Sequence, residues 1–414
     1  MDGAADEALL HQARTAFDFG PSARVGVAAS GGGDSMALLH LFARLVATDE
    51  LQVEAVTVDH GLRPEAVDEA KLVGQFCAEH GILHHVLQWA GQDHTGNLMA
   101  AARDARYKLI ADWAVSRCIS GIALGHTKDD LAENFLIRLA RKAGPDGLAA
   151  MDTHFLRHGL VWARPLWQQS RADLRGYLRR HDLKWVEDPT NDDDRFERTR
   201  ARQALTVLED FGVTKDVLAS VSGTMRRSSD ALRHYAQIEA RRYIVQDEGD
   251  LVLRLGLTGP LPEEIKRRLW LAAIPWINQA SYPPRHKALF QVLSDVADGD
   301  GVTVGGCLIA RKSDDWRVTR EYQAVRDLST PTDQIWDGRW QLEGPHAPYL
   351  QIRALGDGVR GCPDWRATGF PRASLIATPA VWQEDTLIAA PLAGLSNGWR
   401  AQIVADFHQS AFAH

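Results

Sequence analysis

The chain opens as an α/β fold, and three observations predict it. Short apolar runs alternate with helix-patterned stretches over residues 5–142. The runs are small-residue, β-branched segments of the kind found in a sheet covered on both faces. Polar clusters containing Gly with His or Asp follow three of them directly, which is where parallel sheets place their ligands.

Taken in order, Ala5 to Phe17 predicts a leading helix with Leu9, Leu10 and Phe17 on one side. Ala23 to Ala29 reads as a first strand, Leu51 to Val58 as a second, Leu83 to Leu87 as a third and Gly121 to Leu124 as a fourth. Between them lie helical patterns at Met36 to Phe42, at Pro64 to His80 with Gly81 as the stop, and at Asn97 to Cys118; a further helix spans Asp129 to Lys142. This alternation implies right-handed crossovers and a parallel sheet.

The loop after the first strand is Ser30-Gly31-Gly32-Gly33-Asp34-Ser35. Strand, glycine loop and helix in that order form an anion cradle. Glycines let backbone N–H groups approach the ligand, and the unpaired amides and dipole of the next helix stabilise its charge. Ser30 and Ser35 add hydroxyls, and an Mg²⁺ held by Asp34 would relieve its repulsion from a phosphate. The string has neither the Lys-Ser/Thr of a Walker loop nor the spacing of a dinucleotide fingerprint.

Asp59-His60-Gly61-Leu62-Arg63 follows the second strand and Gly125-His126-Thr127-Lys128-Asp129-Asp130 the fourth, so three loops are expected around one crevice. Asp130 and Glu133 are three apart near a helix start, where acids either complement the macrodipole or hold a cation. Arg103 and Arg106 share a helix face, available to phosphates or to a solvated ion-pair surface with Asp104 and Lys108.

The glycine loop resembles the S-G-G-x-D-S loop of the PP-loop ATP pyrophosphatase superfamily, with its adenine nucleotide alpha hydrolase-like fold. Together with Val58 to Arg63, Ala102-Arg103 through Arg106-Tyr107, Leu124 to Glu133, Gly144 to Leu148 and Trp185 to Asn191, it follows the order seen in the tRNA(Ile)-lysidine synthetase family. Leu131 and Asn134 stand where that family often has Gln and Thr. The resemblance covers roughly residues 20–205. It implies ATP-dependent attachment of free lysine to the wobble cytidine of an isoleucine tRNA through an adenylated cytidine. By the same resemblance, Ser30 to Ser35, His60 and His126 contact ATP; Asp34 holds Mg; Arg106 stabilises phosphate charge; Asp130 and Glu133 bind the lysine ammonium. Arg171, Arg175 and Arg179 recur every four residues, and with Arg198, Arg200 and Arg202 they are expected to face tRNA phosphates or to form a solvated face. Two other readings are base thiolation by the same adenylation and an inactive tRNA-binding PP-loop protein. Sulfur-inserting relatives use paired cysteines, whereas Cys77, Cys118, Cys307 and Cys362 lie far apart.

At 414 residues the chain is too long for one ordinary core, and three domains are expected at 1–205, 206–325 and 331–414. The second is read as mainly helical, led by an apolar stripe from Lys215 to Gln246 and followed by helices at Glu263 to Ala273 and His286 to Ala297 and a hairpin over Gly301 to Arg317. The third is read as small and β-rich, with Trp336, Trp340, Trp365, Trp382 and Trp399 as structural or base-stacking residues. Net charge of −7 leaves room for one basic face. The longest late apolar run, Leu387 to Leu395, is broken by Pro391, so no membrane span is expected. An acidic start at Asp2, Asp6 and Glu7 argues for the cytosol.

Overall fold

At the centre of the N-terminal unit lies β1 (Arg24–Ala28), whose Val25 and Val27 are wholly buried. The computed structural model describes residues 2–18, 23–48, 51–61, 66–89, 98–187, 197–254, 261–280, 289, 296 and 301–412. The expected features at Leu62 to Pro64 and Asp188 to Asn191, and all of the helix expected from His286 to Ala297 except Leu289 and Val296, lie outside these residues. The chain divides into two units, Met1–Ser229 and Asp230–His414.

In the first unit, α1 (Asp2–Arg14) precedes β1, and α2 (Gly33–Ala47), β2 (Gln52–Asp59), α3 (Ala66–Glu79), β3 (Leu83–Gln88), α4 (Leu98–Ser116), β4 (Gly121–Leu124) and α5 (Lys128–Ala140) follow. After α6 (Pro145–Leu148) come β5 (His154–Arg157), β6 (Leu160–Ala163), α7 (Arg171–Arg180), α8 (Glu197–Glu209) and α9 (Lys215–Tyr243), within which the division between units falls. The sheet order is β3-β2-β1-β4-β6-β5, with all pairs parallel except β5 to β6. Chain direction from β1 runs to β2 on one side and returns to β4 on the other, so the crevice opens between β1 and β4 at the carboxyl ends.

Each face of the sheet buries a helix layer. Met36, Leu38, Leu39, Leu41 and Phe42 of α2 pack with Leu9 of α1 and with Leu174, Tyr177 and Leu178 of α7. On the other face Tyr107, Ile110 and Ala114 of α4 pack with Ile122 and Trp162. Gly26 is required by this second layer, since a Cβ there would stand 2.5 Å from Ile122 Cδ1 and 3.0 Å from the Trp113 ring. The β5–β6 hairpin escapes the sequence reading because its strands are only four residues long. Its turn, His158-Gly159, has both φ values positive (51° and 75°), as a two-residue primed turn needs, but His is an uncommon first residue there.

Residues 230–325 contain more strand than the one hairpin expected of that mainly helical segment. The helical stripe read to Gln246 ends at Tyr243, because Ile244 starts β7 (Ile244–Asp247), which turns at Glu248-Gly249 into β8 (Asp250–Leu253). With β9 (Gly301–Val304), β10 (Cys307–Lys312) and β11 (Asp315–Arg320) they form an antiparallel sheet ordered β7-β8-β11-β10-β9. The expected hairpin forms, with β9 paired antiparallel to β10; its register, Val302↔Ile309 and Thr303↔Leu308, is one residue from a pairing of Val302–Val304 with Leu308–Ala310, because Cys307 also joins the strand and faces Val304. Helix α10 (Glu263–Asn278) packs Ile265, Leu269, Trp270 and Ile274 into the same core as Leu251, Ile309 and Val318.

The β-rich end carries β12 (Ser329–Pro331), β13 (Trp340–Glu343), β14 (Gln351–Ala354), β15 (Pro379–Gln383), β16 (Thr386–Ala389) and β17 (Arg400–Ile403). They form a β12-β14-β15-β16 sheet and a β13-β17 pair. A short helix, Arg372–Ile376, interrupts this β-rich segment. Trp336, Trp340 and Trp399 are buried core residues at 0%, 2% and 3% exposure, so base stacking is closed to them. No described helix is long and apolar enough to cross a membrane.

Leu38→Ala removes a fully buried side chain between α2 and its neighbours and should cost the N-terminal unit about 2–5 kcal/mol in urea unfolding followed by circular dichroism. Phe211→Ala, at 88% exposure, should change it by less than about 0.5 kcal/mol.

Candidate active site

The glycine loop is shaped by backbone demands. Gly31 sits at φ +83°, and its carbonyl accepts from Val186 N–H at 2.9 Å, pinning the loop to the segment after α7. Gly32 is the N-cap of α2 and offers no side chain, so the first amides of α2 have no capping side chain over them. Ser35 Oγ donates to Gly32 O at 2.9 Å and accepts from Ser30 N–H at 3.1 Å; the two serine hydroxyls are 3.3 Å apart. Gly125, beyond β4, lies so close that a Cβ would stand 3.1 Å from the Asp34 carbonyl and from Ser35 Cα. The first and third predicted loops are therefore in contact.

A fourth element completes the site. Beyond β6, at the same end of the sheet, Ser170 caps α7 in a capping box with Asp173. Arg171 follows as the first helical residue. Its backbone N–H donates to Asp129 Oδ2 at 2.8 Å. Its guanidinium reaches three carboxylates: Nε to Asp34 Oδ2 at 3.2 Å, Nη2 to Asp130 Oδ1 at 2.8 Å and Nη1 to Glu133 Oε1 at 2.5 Å. Asp34, Asp130 and Glu133 thus converge, as their loop positions and helical spacing led us to expect.

This geometry corrects the basic stripe. Arg171 is turned inward, 16% exposed, because three desolvated acids attract it more strongly than solvent does. Arg202 also turns in, donating to Glu133 Oε1 at 2.7 Å, and Arg198 lies 3.5 Å from Asp130 Oδ1. Arg175 pairs with Glu187 at 3.1 Å. Only Arg179 and Arg200 of the six are exposed.

Asp130 has two tasks. One oxygen takes Arg171, and Oδ2 accepts from Thr127 N–H and Thr127 Oγ1, both at 2.9 Å, closing the start of α5. Burial would raise its pKa, but Arg171, His126 and Arg198 outweigh that and hold it below the usual value. Asp129 is likewise held low against burial, by Lys215 at 2.8 Å and by the Arg171 amide. Asp34 behaves differently. Burial, reinforced by the Asp130 charge, pushes it up to about 6, because its share of Arg171 is the longest of the three bonds. Glu133 is 1% exposed, and its Oε2 has no hydrogen-bond partner among the described residues.

Beside these acids lies a concentration of arginines. The Cζ atoms of Arg103, Arg106 and Arg157 stand 5.8, 5.6 and 4.2 Å from the ring centre of buried Tyr107. Asp104 pairs with Arg157 at 2.8 Å. Burial lowers the pKa of Arg106 and of Arg164, a residue the sequence reading passed over. Arg164 Nε donates to His126 Nδ1 at 3.2 Å. Burial, with Arg164, Arg106 and Arg103 nearby, drives His126 down to about 3, so the ring is neutral and carries its proton on Nε2 as a donor. His60 is also held neutral by burial and by Arg106, and it meets Trp89 edge to face at 5.8 Å. The site therefore has an arginine-rich half around Arg106 and Tyr107 and, beyond His126, a half in which Asp130 and Glu133 are held by paired cations.

Residues 6–209 match the family model described as a PP-loop domain. The chain is 44% identical to the tRNA(Ile)-lysidine synthase of Ruegeria pomeroyi over 98% of both chains. It is 35% identical to that of Wolbachia pipientis over 77% of this chain and 76% of the relative, and 32% identical to that of Brucella anthropi over 96% and 91%.

A raised Asp34 pKa means that the folded chain binds this proton more tightly than the unfolded one. Its contribution to stability is complete below pH 3.8 and is lost as pH rises through about 6. Asp34→Asn should flatten the fall in unfolding midpoint between about pH 4 and pH 7 in denaturation series. A fall as steep as that of the wild type would contradict the shift.

Proposed function

Because the chain belongs to the tRNA(Ile)-lysidine synthase family, we propose that this bipolar crevice carries out ATP-dependent lysidine formation on tRNA(Ile), with free lysine as the amine. The observation that carries the residue roles is the meeting of the glycine loop with the Asp130–Glu133 pair through Asp34 and Arg171. An amino acid with a cationic tail and a nucleotide triphosphate need these two halves side by side.

In the first step the C2 oxygen of the wobble cytidine attacks the α-phosphate of ATP, giving an adenylated base and pyrophosphate. The uncapped amides of α2, with Gly31, Gly32, Gly33, Ser30 and Ser35, hold the leaving phosphates. Arg106, poor in acidic partners, stabilises phosphate charge, while neutral His126 and His60 act toward the nucleotide as hydrogen-bonding groups without adding charge. Asp34 fits an Mg²⁺ site of the usual kind, in which one or two carboxylates act with substrate phosphates and waters. Among the described residues no group of three acids, histidines or cysteines is placed to hold a metal unaided. Bound there, the ion would neutralise charge on the phosphates.

In the second step the lysine ε-ammonium gives up a proton, and the free amine attacks C2 as the C2–O bond breaks and AMP leaves. Asp130 and Glu133 hold the ammonium, and Glu133 Oε2 is an acceptor ready for it. Arg179 and Arg200, exposed on α7 and α8, are the members of the predicted basic set best placed for tRNA phosphates.

Incubation of isoleucine tRNA with protein, ATP and lysine should add the mass of one lysine less water to a single cytidine. Unmodified tRNA would refute the reading, and a sulfur-sized increment would favour thiolation. Glu133→Gln should raise the KM for lysine at least about tenfold with ATP binding unchanged. Loss of ATP binding with an unaltered lysine requirement would remove Glu133 from the amine site.

A further inference from the structure

Taking the lysine site proposed above as its premise, we infer that Arg171 is the resident cation of that site, and that the substrate's ammonium enters by exchanging with its guanidinium. Arg171 is then a specificity-determining residue, setting which amines bind and how tightly.

Charge balance makes exchange necessary. Asp34, Asp129, Asp130 and Glu133 face Arg171, Arg198, Arg202 and Lys215, each cation within 3.5 Å of at least one of these acids. His126, the other titratable group against Asp130, is neutral. Among the described residues these four acids and four paired bases balance, which leaves no net attraction there for an added ammonium, and an extra buried charge without a counter-charge is costly. Simple addition of lysine would overcharge the cluster, whereas replacing one guanidinium with one ammonium keeps it neutral.

Arg171 is the member built to leave. Among the described residues it is the cation that touches Asp34, Asp130 and Glu133 together, so its place is the one a new cation would have to take to reach both members of the acid pair. Its backbone is fixed separately: Ser170 caps the helix, and the Arg171 amide is bonded to Asp129. The side chain can therefore swing without unravelling α7. Its Nε already lies 3.2 Å from Asp34, the second residue of α2, beside the anion loop. Once displaced, the guanidinium has phosphate as its natural new partner. The second observation is Glu133 Oε2. It is buried and unpartnered among the described residues while Oε1 serves both Arg171 and Arg202, leaving an acceptor that the arginine arrangement does not use.

The test is equilibrium dialysis of radiolabelled lysine against the full-length protein without ATP or tRNA. Arg171→Met keeps the aliphatic stem and removes the competing charge. It should bind lysine at least about tenfold more tightly than the wild type and discriminate less between lysine and ornithine. Equal or weaker binding of lysine to the variant overturns the inference, because a fixed positioning arginine would produce that result. Arg171→Lys decides the matter if circular dichroism shows that the methionine variant does not fold. A single ammonium cannot span three carboxylates, so lysine should bind more tightly than to the wild type, and unchanged or weaker binding again overturns the proposal. Failure of wild-type protein to form lysidine with ATP and tRNA would instead sink the activity reading.

Discussion

Several acids crowded into one desolvated patch are the constraint around which the N-terminal unit is arranged. Asp34 comes from the glycine loop, Asp129, Asp130 and Glu133 from the start of α5, and none could stay ionised beside the others without cations at hydrogen-bonding distance. The cations arrive from α7, α8 and the first residue of α9. The sheet thus supplies the acids from the ends of β1 and β4, and the helices after it close the cluster. An arrangement of this kind adds little to stability compared with an apolar core of equal volume.

The same logic separates the two halves of the crevice. Around Tyr107 the arginines outnumber acids, and burial depresses Arg106 and Arg164, so that half gains by receiving an anion. Around Asp130 the charges of the described residues cancel, so on the exchange proposed above that half takes a cation by substitution. His126 lies on the seam, neutral because arginines surround one side of it and burial disfavours its cation. The proposed nucleotide and amine would then sit close together without the described residues holding a large uncompensated charge of either sign when empty.

Much of this was legible in residue order. The alternation of strands and helices, the glycine loop and the three-residue spacing of Asp130 and Glu133 depend on local periodicity and turn chemistry, which the chain displays directly. What stayed hidden depends on which way a side chain turns. Arg171, Arg175 and Arg179 have the spacing of a surface stripe, yet Arg171 faces inward because acids more than thirty residues earlier in the chain attract it. Arg164 gave no signal, being a lone basic residue after a strand too short to recognise. The tryptophans near the C-terminus were equally ambiguous, since composition cannot distinguish a ring that packs from one that stacks.

The bond from Val186 N–H to Gly31 O joins the anion loop to a stretch of chain on the far side of α7. Those two segments cannot part without baring that amide to water. Deuterium uptake at this one position is consequently a native gauge of loop opening, readable with no label and no substitution, and responsive to whatever nucleotide or RNA draws the loop shut.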